Sequence, residues 1–202
     1  TQYKGRYMIA IVKYNAGNST SVKNAVERLG FTCTITNDHQ ALKNASKVIF
    51  PGVGAASRAM TYLKETGLDK LIVALDQPVL GICLGQQLLC AHSEEGNVDC
   101  LGIFNAQVKK FPPYGSVPHM GWNTVEFKKD SPMNTGVSTN PRYYFVHSYF
   151  VDCANQDDIL CATQYGKEFV SGFQYQNIFG LQFHPEKSHK FGMELLVNFC
   201  KI

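Results

Sequence analysis

No run of Lys or Arg in this 202-residue sequence exceeds two residues, and the net charge is only +3. Such a small, dispersed charge argues against a nucleic-acid surface and reads as ordinary solvated faces. No apolar stretch approaches the roughly 18 residues that a membrane helix needs, and no signal-peptide pattern is present. The seven cysteines, at positions 33, 83, 90, 100, 153, 161 and 200, include no C-x-x-C pair. Zinc and dithiol redox chemistry therefore lack a motif, and no metal or cofactor is expected. An odd cysteine count at irregular spacing predicts a reduced, cytoplasmic protein in which most thiols act as small buried hydrophobes. The first methionine is Met8, and Thr1–Arg6 is polar. Residues 1–7 are expected to be disordered or foreign to the fold. Residues 8–202 are expected to form a single domain, since no linker is long enough to divide them and the length supports a sizeable core.

What is present alternates between strand and helix signals. Tyr7–Val12 reads as a compact apolar strand. Val22, Ala25, Val26 and Leu29 recur at helical spacing, closed by Gly30. Phe31–Thr36 and Lys47–Phe50 read as strands, Ala55–Leu63 and Leu68–Leu75 as helices, Pro78–Ile82 as a buried strand and Leu84–Ala91 as the helix that follows it. Repeated strand–helix–strand units predict an open, mostly parallel α/β sheet covered by helices on both faces. The second half is strand-rich, with β-type composition in Phe104–Phe111, Thr124–Phe127, Tyr143–Val146, Val170–Gln174 and Ile178–Phe183. These are expected to add antiparallel strands. Pro112–Gly121 is expected to be a loop, Asp130–Pro141 an exposed connection, and Ser188–Cys200 a final helix.

Gly81-Ile82-Cys83-Leu84-Gly85 has the layout of a nucleophile elbow, with a buried strand before it and a helical pattern after it. The flanking glycines present no side chains to collide in the tight turn, and the middle residue is forced into a strained conformation. A thiol at a helix N-terminus is favoured as thiolate, the nucleophilic form. The Leu84 N–H would point at any oxyanion formed on a substrate attacked by Cys83. The pentapeptide by itself leaves a buried structural thiol equally open.

A nucleophilic thiol needs a base. Of six histidines, His184 follows a strand and opens His184-Pro185-Glu186. Pro185 holds its predecessor extended, and residues two apart in extended chain project to the same side. Glu186 can then accept one ring N–H and leave the other nitrogen for Cys83, the base-plus-orienter logic of a triad. Taken alone, a surface His beside a solvated Glu fits the tripeptide as well. His39 and His92 read as surface residues and His189 as lying near a helix start. His119 and His147 lie within aromatic strings, and spacing leaves them either structural or site-lining.

Five strings occur in order: Pro51–Gly54 (PGVG), Gly81–Gln87 (GICLGQQ), His119–Asn123 (HMGWN), Tyr143–Tyr149 (YYFVHSY) and Phe179–Ser188 (FGLQFHPEKS). On these, nearly the whole chain resembles the glutaminase subunits of imidazole glycerol phosphate synthases, in the class I (triad) glutamine amidotransferase family. The resemblance implies a flavodoxin-like class I fold with added antiparallel strands. It implies that Cys83 attacks the side-chain amide of glutamine, with His184 and Glu186 completing the triad. It places the oxyanion between the N–H of Leu84 and one from the Pro51–Gly54 strand, at Val53, where Gly52 and Gly54 make a peptide flip sterically cheap. It assigns Gln87, Ser148 and Tyr149 to the substrate, beside Gly52 and Gly54. It implies a (βα)8-barrel cyclase as partner, with His119, Met120, Trp122 and Asn123 at the interface. Trp122 fits an interface anchor or an ordinary core aromatic. Two departures stand out. Many members carry Asp-Tyr-Gly-x-Gly-Asn where this chain has Lys13-Tyr14-Asn15-Ala16-Gly17-Asn18, and Gln86 stands where Met is usual. A glutaminase serving a different synthase, or a partnerless hydrolase or redox sensor with an exposed cysteine, would share the elbow. The HMGWN string argues against the first and the His184–Glu186 pair against the second.

Overall fold

A computed structural model describes residues 8–113 and 115–202. The expectation for residues 1–7, with Tyr7 of the first strand, lies outside the described residues, as does Tyr114 of the expected loop. The first half runs β1 (Ile9–Val12), α1 (Ser19–Arg28), β2 (Cys33–Thr36), α2 (His39–Asn44), β3 (Lys47–Phe50), α3 (Ala56–Thr66), α4 (Leu68–Val73), β4 (Val79–Ile82) and α5 (Leu84–Leu88). The second half adds β5 (Cys90–Ser93), β6 (Val98–Asp99), β7 (Phe104–Lys110), β8 (His119–Thr124), β9 (Glu126–Phe127), β10 (Arg142–His147), β11 (Tyr149–Cys153), β12 (Ile159–Tyr165), β13 (Lys167–Tyr175), β14 (Ile178–Leu181) and α6 (His189–Lys201).

The order β2-β1-β3-β4-β14 is parallel, and β13, β11 and β7 extend it antiparallel. β1 shows why helices cover both faces. Its side chains alternate, so Ala10 and Val12 pack with Leu42, Met60 and Leu84 from the helices on one face. Ile9 and Ile11 pack with Val22 of α1 and Leu195 of α6 on the other. Strands buried from both sides read as continuous apolar runs, as β1 and β4 do. β8 and β10 form a separate antiparallel ribbon that pairs His119 with His147. Among the described residues no helix is long and apolar enough to cross a membrane.

Three expectations are corrected. The helix after the elbow stops at Leu88, not Ala91, because the carbonyls of Leu88, Leu89 and Cys90 accept N–H groups from Leu101, Phe104 and Gly102 (2.9, 3.0 and 2.8 Å). Tertiary backbone pairing with the chain before β7 wins over local helical pattern. His119–Gly121, expected within a loop, starts β8 because β10 supplies its partners. Asp130–Pro141 is not a free connection: Met133 is fully buried, and the Asn198 amide on α6 donates to the carbonyls of Met133 and Thr135. Beyond these, α2, β5, β6, β11 and β12 form where the sequence pattern gave no signal strong enough to read.

The parallel pair β4–β14 positions the chemistry. Gly81 lies opposite Gly180 and Ile82 opposite Leu181. The residues that follow, Cys83 and the segment to His184, therefore leave the sheet side by side at its carboxyl edge, where open α/β sheets bind ligands.

Candidate active site

Cys83 has φ 55° and ψ −112°, outside the regions a non-glycine residue ordinarily occupies. Its N–H donates to Leu181 O at 2.8 Å, extending the β4–β14 ladder by one bond before the chain turns. Glycine is required on both sides. A Cβ at Gly85 would lie 1.7 Å from Phe50 O, and one at Gly81 would lie 2.8 Å from Gln86 N. The thiol opens into a cleft of about 310 Å³, which Val53, Gly54, Leu84, Gln87, Ser148 and Tyr149 also line.

His184 is fully buried. Its N–H donates to Tyr144 O at 3.0 Å, and the Ser188 hydroxyl donates to its carbonyl at 2.5 Å. The ring is set by Glu186, whose Oε1 lies 2.6 Å from Nδ1. The pairing is reached differently from the expected extended chain. His184 is extended, but Pro185–Lys187 forms a short 3-10 turn that carries the carboxylate back under the ring. Nε2 is left without a hydrogen-bond partner. Burial pushes the imidazole pKa down, but the Cys83 sulfur and the Glu186 carboxylate outweigh it and raise the pKa to about 10. Cys83, His184 and Glu186 are thus brought together as a thiol, a strongly basic imidazole and an orienting carboxylate.

The sequence profile described as Glutamine amidotransferase class-I matches residues 10–202. Imidazole glycerol phosphate synthase subunit HisH 2 of Methanococcus maripaludis is 48% identical over 96% of this chain and 99% of its own length. The HisH subunit of Bacteroides thetaiotaomicron is 50% identical over the same shares. The structure of PurLQS from Thermotoga maritima superposes with a TM-score of 0.73 at 16% identity, covering 97% of this chain and 98% of that one. The chain belongs to the class-I glutamine amidotransferase family.

In this amidotransferase the Leu84 N–H is already engaged. It donates to Gly52 O at 3.1 Å, so the Gly52–Val53 peptide turns its carbonyl, not its N–H, toward Leu84. Tyr14 holds the preceding peptide, donating its hydroxyl to Pro51 O at 2.6 Å. Only glycine fits at 52, because a Cβ there would lie 2.0 Å from the Tyr14 hydroxyl. Gln87 is committed as well. Its Nε2 donates to Gln182 Oε1 (2.9 Å) and to Tyr149 O (3.3 Å). Ser148 and Tyr149 are half-buried along the cleft wall.

The four residues expected at an interface separate. Met120 and Trp122 stand out from β8, 61% and 40% exposed, and Trp122 stacks on His189 with ring centroids 5.4 Å apart. His119 is instead buried, because strand alternation turns it inward, where it stacks on Tyr165 and Phe145. Asn123 is half-buried and donates to Gln164 O at 2.9 Å.

Three site residues escaped the sequence reading. Asn18, with φ 84° at the start of α1, donates to Glu186 Oε1 at 2.5 Å. It is the last residue of the Lys13–Asn18 stretch that stands against the family pattern, which was the available signal. Glu95 lines the cleft, its Oε2 accepting from Ala56 N at 3.3 Å, and desolvation raises its pKa. Gln182 is fully buried and donates to Cys83 Sγ at 3.7 Å. Gln182 lies within the Phe179–Ser188 string, two residues before His184, which was its available signal, whereas Glu95 lies in none of the quoted strings.

Proposed function

We propose that the chain is the glutaminase half of an imidazole glycerol phosphate synthase and that residues 8–202 form one amidotransferase domain. The observation that carries the reading is the buried His184–Glu186 pair together with a strained cysteine that opens into a cleft also lined by Gln87 and Glu95. Cys83 Sγ attacks the side-chain amide carbon of glutamine. His184 Nε2 gives a proton to the departing ammonia, and a γ-glutamyl thioester remains. Water then adds to the thioester with His184 as base, glutamate leaves, and the thiol is restored. Glu186 holds the Nδ1–H tautomer and stabilises the imidazolium formed on the way. Glu95 is the carboxylate along the cleft and suits the α-ammonium of an amino acid, while Ser148 and Tyr149 offer backbone to its other polar atoms.

The oxyanion needs donors that are not yet free. Turning the Gly52–Val53 peptide over would release Leu84 N–H and bring Val53 N–H alongside it, with Gly52 taking the change in ψ. The chain alone is therefore expected to turn over slowly. The ammonia passes to a (βα)8-barrel cyclase. That partner makes imidazole glycerol phosphate and an aminoimidazole carboxamide ribotide, and it docks against the face carrying Met120 and Trp122.

The test compares wild type with Cys83→Ala in the reconstituted complex, supplied with either glutamine or ammonium salt. Glutamine-dependent synthesis is expected to vanish and ammonium-dependent synthesis to persist. Loss of both would make Cys83 structural and defeat the reading.

A further inference from the structure

The network around Tyr149 O fixes the direction of the side-chain hydrogen bonds that run through Gln87 and Gln182 to the Cys83 sulfur. A backbone carbonyl only accepts, so both groups within reach of it must present N–H: His147 Nδ1 at 2.7 Å and Gln87 Nε2 at 3.3 Å. With its nitrogen so placed, Gln87 donates a second N–H to Gln182, which makes the near atom of that amide its oxygen, at 2.9 Å. The nitrogen end of Gln182 is then the one facing Cys83 Sγ, at 3.7 Å. Amide orientation, normally assigned by choice, is here dictated by a main-chain oxygen two bonds away.

The backbone holds Gln182 equally firmly. It follows β14 directly, its N–H donates to Ser171 O at 2.9 Å, and its neighbour Leu181 accepts the Cys83 N–H at 2.8 Å. Its side chain is wholly buried. A neutral thiol sulfur is a weak acceptor and a thiolate a strong one. A fixed donor aimed at the sulfur therefore favours the charged form without having to reorganise when the charge appears.

We propose that Gln182 is a further catalytic residue: it donates its side-chain N–H to the Cys83 sulfur and holds it as the thiolate that attacks glutamine, with Gln87 as the positioning residue that aims the donor. This rests on the glutaminase reading above, and its test uses no glutamine, so the two fail separately. Absence of glutamate release by the wild-type complex would remove the reading while leaving the thiolate question answerable.

The experiment follows the rate of Cys83 alkylation by iodoacetamide on the full chain, read by mass spectrometry of the Cys83 peptide from acid to alkaline pH. Gln182→Met keeps length and burial and removes the donor. It is expected to alkylate about tenfold more slowly than wild type at pH 7 and to converge with it at alkaline pH, where every thiol is ionised. A wild-type profile overturns the proposal. So does a slowing that is uniform at every pH, which would report access to the thiol rather than its ionisation. Should Gln182→Met fail to fold, Gln87→Leu leaves Gln182 in place but unaimed. A smaller slowing with the same convergence supports the proposal, and an unchanged profile overturns it.

Discussion

The two histidines paired across the β8–β10 ribbon make a measurable prediction about acid stability. His147 Nδ1–H donates to Tyr149 O, so its Nε2 accepts from His119 Nδ1 at 2.9 Å, and His119 Nε2 in turn takes Asn123 Nδ2 at 3.2 Å. This arrangement requires both rings neutral. Burial pushes the His147 pKa down to about 3 and that of His119 down to about 4. A histidine with a depressed folded pKa costs nothing above its unfolded pKa of about 6.5, and it destabilises the fold as pH drops below that value. Between pH 7 and pH 5 the unfolded ring gains most of a proton that folded His147 refuses, a loss of about 2 kcal/mol. His184 acts in the opposite sense. Its raised pKa stabilises the fold fully below about 6.5 and progressively less up to about 10, so acidification over the same interval offsets part of the loss. The clean measurement is therefore a difference between proteins. His147→Asn keeps an amide nitrogen near the Nδ1 position for Tyr149 O and removes the titration. Urea unfolding at the two pH values should show wild type losing about 2 kcal/mol more than the variant. Equal acid losses in the two proteins would refute the neutral-pair argument.

Gln86 is fully buried with neither amide atom hydrogen-bonded, its stem against Gly180. Gln86→Met should therefore raise stability by about 1–3 kcal/mol, seen as a higher melting temperature; a lower one would mean that the amide has a partner in solution. Asn18→Ala removes the donor that steadies Glu186. It should lower kcat for glutamine hydrolysis by the complex about tenfold, with KM little changed. An unchanged kcat would show that His184 alone sets the carboxylate.

The parts of this molecule that could be read in advance are those whose physics is local. β1 and β4 announce themselves because burial on both faces demands an unbroken apolar run. Cys83 announces itself because the elbow excludes a side chain at 81 and 85, a steric fact with a sequence signature. His184 and Glu186 do so because a proline between them restricts the backbone, although the turn it adopts is not the extended one expected. The parts that could not be read depend on what arrives from elsewhere in the chain. β5 replaces the end of a helix because Leu101, Gly102 and Phe104 claim its carbonyls. His119 turns inward because β10 fixes the register of β8, and one step of register decides whether a residue meets solvent or core. Gln182 and Glu95 have no spacing rule, since each is defined by the distance to an atom far away in sequence. The same reasoning explains Gly52. Its glycine is a matter of local clearance from Tyr14, but the role of its carbonyl emerges only when Leu84, thirty-two residues on, is seen to donate to it. A short motif can therefore name the nucleophile and the base, while the donors that make them react are specified only by the packed sheet edge.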